Sequence, residues 1–186
     1  MQKVLMEGNR MKKLVVVDMQ NDFIDGSLGT PEAVAIVDNV VDKIGQYEPA
    51  DVFVTMDTHE PEYLSTQEGH KLPVEHCIKG THGWEMPPAI SEAVKGAQVF
   101  EKPTFGSVRL AETLKSLAGD DHPAGEGMEI ELVGLCTDIC VVSNALMIKA
   151  YLPEAIVSVD PACCAGVTPE SHEAALATMR MCQINC

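Results

Sequence analysis

Chemically reactive side chains interrupt an apolar run at Val133–Val142 (VGLCTDICVV), which holds two cysteines, a threonine and an aspartate. A buried strand does not normally admit a Thr–Asp pair, so we expect the strand to end at Leu135 and a helix to follow. Thr137 and Asp138 then lie at the helix N-terminus, where polar groups satisfy free backbone N–H groups. Cys140 falls in the first turn. There the helix dipole and a nearby lysine would lower the thiol pKa, which makes Cys140 a candidate nucleophile.

Other reactive side chains also stand at the ends of apolar runs. Asp18 follows KLVVV, Asp57 and His59 follow DVFVTM, and Lys102 ends AQVFEK. In a parallel sheet the carboxyl ends of the strands share one edge, where open α/β folds bind ligands. The pattern therefore predicts that an acid, a base, a thiol and a pair of potential metal ligands lie together at one edge of the sheet.

A Cys–Lys–Asp set without a catalytic histidine suits acyl transfer. The Cys140 thiolate would attack an amide carbonyl while Asp18 handles the proton and Lys102 stays beside the sulfur. Backbone N–H groups at the helix start would stabilise the oxyanion, and water would then clear the thioester.

The segment DTHEPEYLSTQEGHKLPVEHC (57–77) raises the question of a metal site. Asp57 and His59 are two residues apart on an extended segment, so their side chains can point the same way. A later histidine of the loop could complete a set of N and O ligands suited to zinc, manganese or iron. The spacing alone is equally compatible with a solvated charged loop.

Composition limits the class of protein. The 186 residues, 46% apolar and 22% charged, fit one globular domain, and the net charge of −15 argues against nucleic acid and membrane partners. An odd count of seven cysteines excludes a complete set of intrachain disulfides, and no apolar run reaches about 18 residues. We predict a cytoplasmic protein. Because MKKLVVVDMQ resembles a natural N-terminus, residues 1–11 are predicted as a leader or a disordered N-terminus, and residues 12–186 as a single domain.

Apolar runs alternate with helical patterns along the chain, which predicts an α/β fold with parallel strands. Thr30–Pro31 and Thr168–Pro169 are typical of helix starts. CQIN (182–185) would add a sixth strand, and Asp120–Gly127 is predicted as a surface loop.

Five motifs together resemble the isochorismatase-like cysteine hydrolases, nicotinamidases in particular, from Lys12 onward. They are VVVDMQNDFIDGSLG, DTHEPEY, LPVEHCIKGTHGWE, EKPTFGS and GLCTDICVVSNA. The resemblance implies a six-stranded parallel sheet flanked by helices on both faces. It also implies a catalytic triad of Asp18, Lys102 and Cys140, and a cis peptide at Leu135–Cys136. The N–H groups of Cys136 and Cys140 would form the oxyanion hole.

The same resemblance implies a divalent metal, zinc before manganese or iron, that holds the pyridine nitrogen of the substrate. The implied ligands are Asp57, His59, His76 and Glu68. Phe23 would pack on the substrate ring. The segment PTFGS after Lys102 is short and lacks the aromatics that often line this pocket, so Phe105 is expected to substitute for them.

Three functions follow in order of preference. The first is hydrolysis of nicotinamide to nicotinate and ammonia through a thioester on Cys140. The second is a same-fold cysteine hydrolase acting on another small amide or a carbamoyl compound. The third is a redox sensor, suggested by the Cys163–Cys164 pair, which is predicted to lie in a loop. Isochorismatases proper lack the cysteine, which argues against vinyl-ether hydrolysis. Members of this fold often assemble, so a homo-oligomer is expected.

Overall fold

The computed structural model describes residues 10–119 and 123–186 and is built around a parallel β-sheet. The sheet has five strands in the order β3-β2-β1-β4-β5. Their bounds are β1 Met11–Val17, β2 Val52–Asp57, β3 Gln98–Lys102, β4 Met128–Leu135 and β5 Ile156–Ala165. The central strands carry the continuous apolar runs because both of their faces are covered.

Eight helices connect and cover the strands in the described residues. They are α1 Asn21–Ile24, α2 Pro31–Ala35, α3 Val37–Ile44, α4 Gln67–Lys71, α5 Pro88–Ala93, α6 Val108–Ala118, α7 Val142–Tyr151 and α8 Pro169–Met181. Thr30 and Thr168 cap α2 and α8 as predicted, since each side chain accepts a hydrogen bond from a backbone N–H of the first turn. None of these helices is both long and apolar enough to cross a bilayer.

Helices pack on both faces of the sheet, which confirms the predicted architecture. On one face, Val15 and Val17 of β1 pack in a cluster that includes Leu114 of α6 and Ile148 of α7. On the other face, Leu14 and Val16 of β1 pack with residues of α3 and α5. The alternation along one strand divides the apolar side chains between two cores.

The sheet has five strands where six were expected. The CQIN segment does reach the β5 edge, but only Asn185 pairs there, in an isolated parallel bridge with Ser158. The chain leaves α8 through Gln183, whose φ of +65° turns the backbone, so the pairing is confined to one residue. The segment therefore does not form the sixth strand that was expected.

The predicted boundary between the N-terminal segment and the domain falls at residue 11. Met11 is the first residue of β1, and its N–H donates to Gly127 O over 3.0 Å. Residues 1–9 of the predicted leader lie outside the described residues, and the division at residue 11 stays a prediction. Asp120, Asp121 and His122 of the predicted loop also lie outside them.

Gly134 lies in β4 immediately before the segment that carries Cys136 and Cys140. Its φ is +115°, and a Cβ there would overlap the carbonyl oxygen of Val17, its partner in β1. The β4–β5 register shifts between Leu132 and Gly134. Glycine therefore lets the end of β4 lie close against β1 just before the functional loop.

Gly134→Ala should lower the free energy of unfolding by about 2–6 kcal/mol, because an unfavourable φ and a steric overlap add together. Gly80→Ala is the matched control. Gly80 also has a positive φ, +80°, but open space around its Cβ position. Its loss should be about 1 kcal/mol. Urea unfolding followed by circular dichroism measures both losses, and equal values would contradict the steric explanation.

Candidate active site and metal centre

The predicted triad converges on the side chain of Lys102, which is 2% exposed. Its Nζ lies 2.7 Å from Asp18 Oδ2 and 3.4 Å from Cys140 Sγ. The same Nζ lies 3.2 Å from Oδ1 of Asp57, one of the predicted metal ligands. The ammonium thus connects the predicted acid, the predicted nucleophile and the predicted metal centre.

Strand register explains how the acid and the base come together. Lys102 is paired with Asp57 across β3 and β2, so their side chains leave the sheet at the same level. Asp18 follows β1 with a φ of +48°, and its N–H donates to Thr55 O over 3.1 Å. The Thr55 hydroxyl donates to Asp18 Oδ1 over 2.7 Å. The neighbouring strand therefore fixes both the backbone and the side chain of Asp18.

Cys140 lies in a π-helical turn, Thr137–Val141, directly before α7. We expected the first turn of an ordinary α-helix. The Leu135–Cys136 peptide is cis, as the resemblance implied. The carbonyl oxygen of Cys136 accepts from the N–H groups of Ile139 and Val141 over 3.1 and 3.0 Å, which ties the turn to the end of β4.

Two side chains that the sequence did not single out hold this turn. Asn144 of α7 donates to Cys140 O over 2.8 Å, and its Oδ1 accepts from Ser107 N over 2.9 Å. His172 of α8 has its Nδ1 2.8 Å from the hydroxyl oxygen of the buried Thr137. Nothing in the sequence relates His172 to a residue 35 positions earlier.

Burial and the charges of the triad shift the pKa values of all three members, and for Cys140 the direction is opposite to the one we expected. Burial, together with the negative charge of Asp18, raises the pKa of Cys140 well above its ordinary value, and Lys102 offsets this only in part. Burial also raises the pKa of Asp18 against the attraction of Lys102. Burial lowers the pKa of Lys102, but Asp18, Cys140 and Asp57 outweigh it, so the net shift is upward. The expected low thiol pKa is wrong, and the site rests with a neutral thiol beside an ammonium.

The predicted metal ligands Asp57, His59 and His76 form one buried cluster whose ligand atoms lie within 4.8 Å of one another. Asp57 Oδ2 lies 2.9 Å from His59 Nε2 and 3.6 Å from His76 Nε2. Oε1 of Glu68, which is partly exposed, is 3.8 Å from both histidine nitrogens. Two imidazoles and two carboxylates in this arrangement suit a divalent cation.

The orientation of the histidines fits a metal. His76 Nδ1 lies 2.8 Å from the Val74 carbonyl oxygen, an arrangement that leaves Nε2 free to coordinate. His59 Nε2 is buried and, within the described part of the chain, has no hydrogen bond of good geometry. The backbone holds the two histidines together, since His59 N donates to Cys77 O over 3.0 Å. A buried imidazole nitrogen that faces carboxylates without a hydrogen bond has the chemistry of a metal ligand.

Gln20 is a third residue that the sequence did not reveal, and it is fully buried. Its side-chain amide donates to Asp57 O and Trp84 O, both over 2.8 Å. Its Oε1 accepts from Asp57 N over 2.7 Å. Gln20 thereby satisfies both backbone polar groups of Asp57 and fixes the carboxylate between Lys102 and the histidines.

The predicted ring-binding residues line a cavity of about 50 Å³ between the triad and the metal ligands. Phe23 is buried, with its ring centroid 5.6 Å from that of His76. Phe105 is 47% exposed and lines the same cavity. Cys136 and Cys140 line the same cavity, where their N–H groups remain the proposed oxyanion hole.

The remaining thiols do not resemble reactive sites. All seven cysteines are free. Cys163 and Cys164 lie in β5, not in a loop as predicted, and belong to the cores on opposite faces of the sheet. Burial raises the pKa of Cys163 to about 11 and that of Cys136 to about 12. Raised pKa values argue against a redox sensor based on low-pKa thiols.

Comparison with known proteins agrees with this geometry. A family model described as an isochorismatase domain matches residues 12–185. The chain belongs to the isochorismatase family.

Three individual proteins match this chain along nearly the whole length of both partners in each comparison. A nicotinamidase/pyrazinamidase of Mycobacterium tuberculosis is 30% identical over 192 residues, which cover 94% of this chain and 97% of that protein. The crystal structure of a pyrazinamidase of Pyrococcus horikoshii in complex with zinc matches with a TM-score of 0.74 and 25% identity, covering 94% and 97% of the two chains. A nicotinamidase of Bacillus subtilis matches with a TM-score of 0.73 and 26% identity, covering 94% and 98%.

In this isochorismatase-family chain, Gln20→Met should weaken zinc binding by about 10- to 100-fold, because Asp57 loses the amide that orients it. Titration with a zinc-competing dye measures the affinity, and urea unfolding separates it from a loss of stability. Asn39→Ala is the control, because it removes a side-chain bond to Ala162 O that lies away from the site. Unchanged zinc affinity in folded Gln20→Met would contradict a positioning role for Gln20.

Proposed function

We propose that this chain is a cysteine amidohydrolase that converts nicotinamide to nicotinate and ammonia through a thioester on Cys140. One observation carries the proposal. The Lys102 ammonium contacts Asp18, Cys140 and Asp57 at once. Cys140 also lines one cavity together with Asp57 and His76, so the proposed nucleophile faces groups that can hold a metal. Relatives described as nicotinamidases, similar over most of the chain, support the choice of substrate.

The first half of the reaction acylates the enzyme. Cys140 Sγ attacks the carboxamide carbon and its proton passes to Asp18, whose raised pKa suits it to accept a proton from a neutral thiol. The N–H groups of Cys136 and Cys140 stabilise the oxyanion. As the C–N bond breaks, Asp18 returns the proton to the leaving nitrogen, which departs as ammonia. The carbonyl carbon is now held as a thioester.

The second half hydrolyses the thioester. Asp18 takes a proton from water as the water oxygen attacks the carbonyl carbon, and the C–S bond then breaks. The proton returns to Cys140 Sγ and restores the resting thiol, and the acid product loses its remaining carboxyl proton to water and leaves as nicotinate. Lys102 keeps its charge throughout and holds the Asp18 carboxylate and the sulfur in place.

The substrate ring is held by the other half of the cavity. Asp57, His59, His76 and Glu68 are the proposed ligands of a divalent cation. Zinc is favoured by the zinc complex of the Pyrococcus horikoshii relative, with manganese and iron as alternatives. When bound, the cation supplies a Lewis-acidic position for the pyridine nitrogen. Phe23 packs on the ring.

A second candidate is hydrolysis of another small amide or a carbamoyl compound by the same residues. It is favoured by Phe105, which is 47% exposed and so leaves one wall of the cavity open to solvent. The triad acts on the carbonyl end, and that chemistry is the same for both candidates.

A cytoplasmic location, self-association into a homo-oligomer and the lack of a nucleic-acid partner remain predictions. The net charge of −15 supports the last of them, since phosphate backbones repel an acidic protein.

Cys140→Ala should abolish ammonia release from nicotinamide, with kcat/KM falling by about 10⁴-fold or more, since the sulfur that forms the thioester beside Asp18 and Lys102 is removed. A coupled glutamate dehydrogenase assay measures ammonia, and circular dichroism checks the fold. Cys182→Ala removes an exposed cysteine and should leave the rate unchanged. Negligible turnover of nicotinamide by the unmodified protein, with zinc, manganese or iron supplied, would overturn the proposal.

Removal of the metal should affect nicotinamide and benzamide differently, because benzamide lacks the ring nitrogen. Chelation or His76→Ala should lower kcat/KM for nicotinamide by about 100-fold, equivalent to a few kcal/mol of lost ring binding. The low rate with benzamide should change much less. His70→Ala, an exposed histidine of α4, serves as the control. Equal losses for both amides would show that these ligands do not act through the ring nitrogen.

A further inference from the structure

The catalytic cavity continues into a second, larger depression. The outer depression has a volume of about 390 Å³, compared with about 50 Å³ for the catalytic cavity. Both are lined by Glu68, Leu72, Phe105 and Ile139. Four shared lining residues make them two parts of one concave site. Ligand pockets in proteins typically measure about 300–1,000 Å³, a range that only the outer part reaches by itself.

The walls of the outer depression are formed in advance by ordered elements. On one side is α4, where Thr66 caps the helix by accepting from Gly69 N over 3.0 Å. Tyr63 donates to Leu72 O over 2.9 Å and fixes the end of this wall. On the other side is the segment 103–107, held by the bond from Asn144 Nδ2 to Phe105 O over 3.2 Å. Because this segment is short, nothing in it closes the depression.

The surface of the outer depression is unusually apolar for its position next to a charged site. Leu72 is 37% exposed and Phe105 is 47% exposed, and both reach the catalytic cavity as well. Exposed apolar side chains grouped in a concave site usually mark where an apolar ligand binds. Of the charged lining residues, Glu68 faces the metal ligands and Lys71 lies at the outer side.

We propose that the outer depression is a second substrate subsite, and that the chain hydrolyses aromatic carboxamides carrying an uncharged apolar substituent on the ring. This inference rests on the proposed function, because it places the carboxamide against Cys140. The substituent leaves the catalytic cavity past Leu72 and Phe105 and buries its apolar surface between α4 and the segment 103–107. The chemical steps are those of the thioester route and need no further reactant.

The experiment compares nicotinamide with nicotinamides that carry a phenyl group at C5 or at C6. For at least one phenyl-substituted amide, kcat/KM should stay within about tenfold of that for nicotinamide, because apolar burial offsets the size of the group. A site that ended at the catalytic cavity would reject both compounds.

Two substitutions fill the outer depression without touching the catalytic cavity. Gln67→Trp and Lys71→Trp are on α4, line only the outer part and are exposed, so the fold should tolerate them. Each should lower kcat/KM for the accepted phenyl amide by about tenfold or more and leave nicotinamide within about threefold. His70→Trp is the matched control, since His70 is exposed on the same helix but is not part of the lining.

The outcomes separate this inference from the proposed function. Turnover of nicotinamide with rejection of both phenyl amides overturns the subsite and leaves the proposed function standing. Turnover of a phenyl amide but not of nicotinamide, with the selective loss in Gln67→Trp or Lys71→Trp, supports the subsite and overturns the proposed function. The subsite is also overturned if Gln67→Trp and Lys71→Trp slow both substrates equally. It is likewise overturned if His70→Trp slows the phenyl amide as much as they do. A lack of turnover with every amide overturns it as well.

Discussion

A single buried ammonium organises the functional end of this fold. Lys102 is almost completely removed from solvent, and such a charge is tolerated only because two carboxylates and a sulfur surround it. One positive charge faces the two carboxylates of Asp18 and Asp57, so the cluster carries an excess of negative charge. That excess gives the neighbouring imidazoles, and a divalent cation between them, a favourable place to lie. The catalytic and metal-binding halves are thus electrostatically dependent on each other.

The positions of several candidate site residues follow from topology. Asp18, Asp57 and Lys102 end successive parallel strands, and a parallel sheet brings such residues to one edge whatever the intervening loops do. His76 and Glu68 came from the family resemblance, because a loop of this length does not by itself determine which histidine turns inward. The structure brings both to the metal centre.

The features that the sequence did not predict depend mostly on contacts between distant parts of the chain and on burial. Gln20 acts through hydrogen bonds with Asp57, 37 positions away, and with Trp84, 64 positions away. His172 contacts Thr137, 35 positions away, and no local sequence pattern encodes such bonds. The direction of the Cys140 pKa was wrong because its neighbours were predicted but its burial was not, and burial is the larger influence. Strand β5 continues through Pro161 to Ala165 and so includes Cys163 and Cys164, although a proline normally marks a strand end.

The two oxygens of the Asp57 carboxylate face different partners. Oδ1 lies beside the Lys102 ammonium, whereas Oδ2 lies beside the imidazole of His59. A descendant of this chain that abandoned the metal would still need an anion at position 57 to balance the lysine. Substitution in this fold is therefore easier at His59 and His76 than at Asp57. A homologue that keeps Asp57 but loses both imidazoles would retain the proposed acyl-transfer residues and would bind a different substrate.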